Sequence, residues 1–250
     1  LLQEYRVRYL LTTCALLLLG GPRAAHSQVH AHPAATPEQL GAVHFPTTCS
    51  AAVTPTFDRA VALLHSFEFG ESIRAFNQVL ATDSTCAMAH WGIALSRWTN
   101  PVAPGLRSPT QLALGRTAAL AAARLASRAS PREQAYIAAV GTLYADFEQV
   151  DQRTRVLNYE RAMSEVVRAH PGDTEARIFH AVAVVAAADP TDKTYHRQLQ
   201  AGAALESLWT AQPNHPGLAH YIIHAYDYPA LADRARLAAQ RYAQIAPSAA

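Results

Sequence analysis

Two short segments, far apart in the chain, follow one order of residue types. Ala89-His90-Trp91-Gly92-Ile93 and Ala219-His220-Tyr221-Ile222-Ile223 each run from a small residue to histidine, then to an aromatic ring, then to isoleucine. A chain with such echoes is built from repeated units, and each unit must bury its apolar side against the next. The surrounding periodicity says what the unit is. Apolar residues recur at three and four, alanine is abundant, and no run alternates with period two over strand length. The expected fold is all-α.

Punctuation sets the helices. Thr54-Pro55 opens one that should run through Phe69, with Phe57, Ala60, Val61, Leu64 and Phe67 as its apolar stripe and Gly70 as its breaker. A second is expected over 71–81 and a third over 85–98. Ser108-Pro109-Thr110-Gln111 and Ser130-Pro131-Arg132-Glu133 read as capping boxes with proline at the first helical position. Further helices are expected at 132–146, 152–169, 173–188, 191–211, 215–227 and 230–245, divided by Pro171-Gly172, Asp189-Pro190, Pro213 and Pro229.

The segment from Ala75-Phe76 through Asp83 to Ala89-His90-Trp91-Gly92 has the form of a tetratricopeptide unit: one helix, a turn, then a helix opening on alanine, an aromatic and glycine. Two further copies start at Ala162-Met163 and Ala204-Leu205, with Pro171 and Pro213 at the turn. The fold expected is thus a tetratricopeptide-like α-solenoid of stacked antiparallel helix pairs.

Several longer motifs carry a family resemblance: Phe45-Pro46-Thr47-Thr48-Cys49, Leu63-Leu64-His65-Ser66-Phe67, Cys86-Ala87-Met88-Ala89-His90-Trp91-Gly92, Pro190-Thr191-Asp192-Lys193, and His220 through Pro229. From about residue 40 onward the chain resembles a family of exported bacterial tetratricopeptide-repeat proteins of undefined biochemical role. The family continues past Ile245-Ala246-Pro247-Ser248 with another His-containing helix and more repeats. The resemblance therefore implies a repeat domain over 41–250 that is truncated at its C-terminus.

At the other end, Arg6 and Arg8 precede an apolar run from Tyr9 to Leu19, and Ala25-His26-Ser27 offers a small-x-small cleavage pattern. Residues 1–27 read as a signal peptide and 28–40 as a flexible N-terminal segment. The expected location is periplasmic or extracellular, with no membrane association after cleavage. Cleavage would leave Cys49 and Cys86, and an even pair in an exported protein reads as a disulfide. Formal net charge is +2, and arginines alternate with acids without a polybasic block, which argues against nucleic acid.

Chemistry has few candidates. His220, His224 and Asp227 stand at i, i+4 and i+7, one stripe of a helix, and His90 holds the repeat position that matches His220. Two imidazoles, a carboxylate and a fourth group would suit a divalent metal such as Zn. Tyr221 after the first histidine rules out the HExxH protease motif, and buried hydrogen-bonded core histidines are the other reading. His65 and Glu68, one turn apart, could line a polar groove on a concave face. A mature start at Gln28-Val29-His30 would offer Cu²⁺ or Ni²⁺ an amine, two amides and an imidazole. Three roles fit this reading. One is an exported scaffold for a protein or peptide partner. Another is a metal-binding protein or metal-dependent hydrolase on the 215–227 helix. The third is the N-terminal part of a larger assembly.

Overall fold

The computed structural model describes residues 38–249. The expected signal peptide, the Gln28-Val29-His30 set and most of the 28–40 segment lie outside the described residues. Among the described residues there are ten α-helices and no strand. They are α1 Thr54–His65, α2 Phe69–Thr82, α3 Ala87–Trp98, α4 Pro109–Leu125 and α5 Pro131–Thr142, then α6 Gln152–Ala169, α7 Thr174–Ala186, α8 His196–Ala211, α9 Pro216–Ala225 and α10 Ala232–Ile245. Each packs on the helix before it, so the expectation of stacked helix pairs holds. No described helix is long and apolar enough to cross a membrane.

Both serines that the sequence announces as caps stand at helix starts, and Asp151 and Asp173 cap α6 and α7 besides. Ser130 Oγ accepts the Glu133 N–H while Glu133 returns to the Ser130 N–H, a complete capping box. At Ser108 only half of it forms. Ser108 Oγ accepts the Gln111 N–H, but the Gln111 amide reaches back to the carbonyl of Arg97 and the hydroxyl of Thr99. Gln111 thereby closes the end of α3 instead of its own cap.

Three boundaries differ from expectation by four residues or more; one is the helix expected over 132–146, which ends at Thr142. The first helix ends at His65, not Phe69, because Phe67 turns to φ +61°. Gly70 then lies inside α2. The eighth helix begins at His196 instead of 191, because two aspartates hold the backbone in turns. Asp189 Oδ1 accepts from Thr191 N and Oγ1, and Asp192 Oδ1 does the same for Thr194. These local bonds compete with helix formation.

The core is close-packed around aromatic rings. Phe45, Phe57, Trp91, Tyr136 and Phe179 form one network of tilted and edge-to-face rings that joins the N-terminal segment to α1, α3, α5 and α7. Trp91 and Trp98 are core residues, and Trp209 donates its indole N–H to the Pro213 carbonyl. A second cluster fills the space between α7, α8, α9 and α10.

The stack curls until α1 touches α9. The N-terminal segment helps to close it. Ala42 N–H donates to the Asn214 carbonyl, and Gln39 exchanges two hydrogen bonds with Ser248. Residues 38–40, expected to be flexible, are therefore docked, with Leu40 buried. Cys49 and Cys86 are joined as a disulfide, with Cα atoms 4.9 Å apart.

Candidate functional site

The closure of the stack brings three distant residues together. His65 is the last residue of α1, Glu175 stands in the first turn of α7, and His215 immediately precedes α9. All three are buried, at 0%, 5% and 2% exposure. His65 Nε2 lies 2.9 Å from Glu175 Oε2, and His215 Nε2 lies 2.9 Å from Glu175 Oε1. One carboxylate thus bridges two imidazoles. Tyr221 Oη sits 3.0 Å from His65 Nδ1, while His215 Nδ1 is buried with no hydrogen-bond partner.

The backbone makes room for this. Gly217 lies in the first turn of α9, and a Cβ there would come within 2.7 Å of His65 Nδ1 and 3.1 Å of His215 Cε1. The two rings pack edge to face with centroids 4.9 Å apart, and Phe179 stacks on His65.

Burial by itself would raise the Glu175 pKa. The facing His65 and the N–H groups of both imidazoles outweigh it and hold Glu175 well below the usual carboxylate range. Burial also dominates at His65 and pulls it below the ordinary imidazole value, against the pull of Glu175. The cluster is an ionised carboxylate between imidazole donors. Among the described residues the ion pairs of Glu175 are with His65 and His215.

Glu175 and His215 also form part of the wall of a cavity of about 910 Å³. Its rim is built from the N-terminal segment near His44, the α6–α7 turn with His170 and Gly172, and the α8–α9 turn with Asn214. Arg132 and Asp173 cross its floor. Their ion pair is 2.6 Å long, and Asp173 also accepts from Tyr136 Oη and caps α7 through the Ala176 N–H.

The residues singled out from sequence are partly brought together. His220 Nδ1–H donates to the His65 carbonyl at 2.7 Å, which leaves its Nε2 to accept from His224 Nε2–H at 3.1 Å. Burial, opposed by that carbonyl bond, lowers His220 to about 4. Burial likewise lowers His224, with Asp227 pulling the other way. Asp227 is exposed and lies beyond the end of α9. His90 sits on α3, where burial and then Arg124 lower its pKa.

No three of His90, His220, His224 and Asp227 bring ligand atoms to one point. The described residues that do so are His65, Glu175 and His215. His65 and Glu68 do not line a common groove. His65 is buried, whereas Glu68 is exposed in the turn after α1. Glu175 and His215 escaped sequence reading because they lie 110 and 150 positions from His65. The available signals were weak: an acid at the start of a helix and a histidine before a helix-opening proline.

No family model matches this chain, and no curated protein matches it. A solved structure is similar in chain course, the crystal structure of YrrB, "a TPR protein with an unusual peptide-binding site". It is 14% identical, the match covers 78% of this chain and 87% of that one, and the TM-score is 0.36. At that level of likeness, the fold rests on this chain's own helices.

Proposed function

We propose that this chain is a tetratricopeptide-type scaffold that takes an extended peptide segment of a partner protein in the cleft beside Glu175 and His215. The observation that supports this is the cleft itself. It is open, lies in the range of ligand pockets, and is walled by three separate turns of the stack. Prolines 46, 171 and 213 and Val43 supply rigid apolar contact, while His44, His170 and Asn214 supply donors and acceptors on the rim. The floor carboxylates are already engaged by Arg132 and the two imidazoles, so the partner meets a largely satisfied surface. The proposed setting is an oxidising compartment outside the cytoplasm, supported by the Cys49–Cys86 bond.

A displayed peptide library tests the reading. A Cβ at Gly172 meets nothing within 4 Å, so Gly172→Trp places a bulky ring at the cleft without disturbing the fold. Peptides selected on the wild-type protein should lose at least about tenfold in affinity on Gly172→Trp, the loss of a single well-packed contact region. Selected peptides that bind both proteins equally would remove the cleft as the binding site.

A further inference from the structure

We propose that His65, Glu175 and His215 form a binding site for one divalent transition cation of the zinc type, whose open side faces the cleft. The three residues each offer one ligand atom, and these atoms lie within 4.8 Å of one another. Donors around a single Zn²⁺, with bonds of about 2.0–2.2 Å, stand roughly 3–3.5 Å apart. His65 Nε2 is 2.9 Å from Glu175 Oε2 and His215 Nε2 is 2.9 Å from Oε1, close to that separation for a carboxylate that binds through both oxygens. Two imidazoles and one carboxylate are a set that zinc takes in open sites, where water or a ligand fills the remaining position.

Two further observations point the same way. The first is charge. Glu175 is buried, its side-chain partners are two imidazoles and neither an arginine nor a lysine, and a carboxylate in such a place is costly unless a cation meets it. Arg132, the cation in the same wall, is committed to Asp173 and to the Pro46 carbonyl. A dication between the imidazoles would neutralise the site. The Nε2 proton of each ring that now points at Glu175 would pass to its own Nδ1, so that both neutral imidazoles would bind through Nε2.

The second observation is the shell around the donors. With His65 Nε2 on the metal, its Nδ1–H donates to Tyr221 Oη at 3.0 Å, the outer contact that fixes a ligating ring. Gly217 keeps the space beside both rings open. His215 Nδ1 is the one ring nitrogen of the two ligands without a partner in the protein.

The inference stands independently of peptide binding. Gly172→Trp leaves all three donors in place, so metal binding should survive it. The test uses the untagged protein, stripped with chelator and titrated with Co²⁺, whose visible spectrum reports N/O coordination. One equivalent should bind, and Zn²⁺ should displace it. His215→Gln retains a donor for Glu175 and should keep its helicity, yet weaken Co²⁺ by at least about tenfold. The double variant His220→Gln with His224→Gln should bind like wild type.

X-ray absorption on the Zn²⁺-loaded wild-type protein covers the case in which His215→Gln fails to fold. Two imidazoles with oxygen donors are expected, and sulfur or a third imidazole would overturn the site. Absence of stoichiometric binding by the wild-type protein would mean a purely hydrogen-bonded triad. Loss in the His220/His224 double with retention in His215→Gln would move the metal to the other histidine pair.

Discussion

At Gly92 the backbone of α3 lies directly against the ring of Phe76 on α2. A Cβ built there would be 2.1 Å from Phe76 Cζ, and Phe76 is itself fully buried with its edge against Phe57. The ring has no direction in which to yield, since the interior is close-packed. Gly92→Ala should therefore destabilise the protein by about 1–3 kcal/mol, the usual cost of an extra carbon in a filled core. Alanine's better helix propensity offsets under 1 kcal/mol of this. Chemical denaturation of the two proteins checks it, and equal midpoints would show that α2 and α3 can separate freely.

Gly92 was readable beforehand as part of a repeat, because its neighbours carry the pattern. The residues of the candidate site were less readable, since their meaning arises only when the stack curls. His65 drew notice, but with Glu68 as companion, and a helix continuing past His65 was needed to pair them. Phe67 at positive φ ends that helix, a conformation that costs a non-glycine residue energy and that no propensity scale assigns to phenylalanine.

Among the elements, the Cys49–Cys86 bond links the N-terminal segment to the residue that precedes α3. The two positions are 37 residues apart, and the loop between them contains all of α1 and α2. Closing a loop of that length removes about 3–4 kcal/mol of chain entropy from the unfolded state in the entropic account. The helices inside the loop are held by their own core contacts, Phe57 and Phe76 among them. Cys86→Ser should thus lower the melting temperature by several degrees, on the order of 10 °C for a chain of this size. Its far-ultraviolet circular dichroism at 25 °C should match wild type. A loss of helicity at 25 °C would mean that α1 and α2 depend on the bond to fold.

Helix identity was legible wherever the sequence supplied both periodicity and a cap, as at Ser108-Pro109 and Ser130-Pro131. It was less legible at 191–195. There apolar spacing permits a helix, but Asp-x-Thr pairs capture the backbone first.

For the molecule as a whole, the decisive contacts are those between its two ends. Gly41 stands where the N-terminal segment, the α8–α9 turn and α10 meet. Its φ is +80°, and a Cβ there would come within 2.7 Å of the Asn214 carbonyl and 2.9 Å of both Ile245 and Pro216. Around it, Ala42 bonds to Asn214 and Gln39 to Ser248. An open stack of helix pairs communicates only between neighbours and frays from its ends. This closure instead ties α9 and α10 to residues that precede α1, and it holds His215 beside Glu175. Gly41→Val would strain the backbone and crowd the junction together, at a cost on the order of 2–3 kcal/mol. The loss should be local. Amide hydrogen exchange should accelerate in α9, α10 and the turn at 212–215, while α3, α4 and α5 keep wild-type protection. The cleft has the same junction for one wall, so selected peptides should bind Gly41→Val more weakly. Uniform acceleration through all ten helices would show that the stack opens as one unit, and the closure would then be only one contact among many.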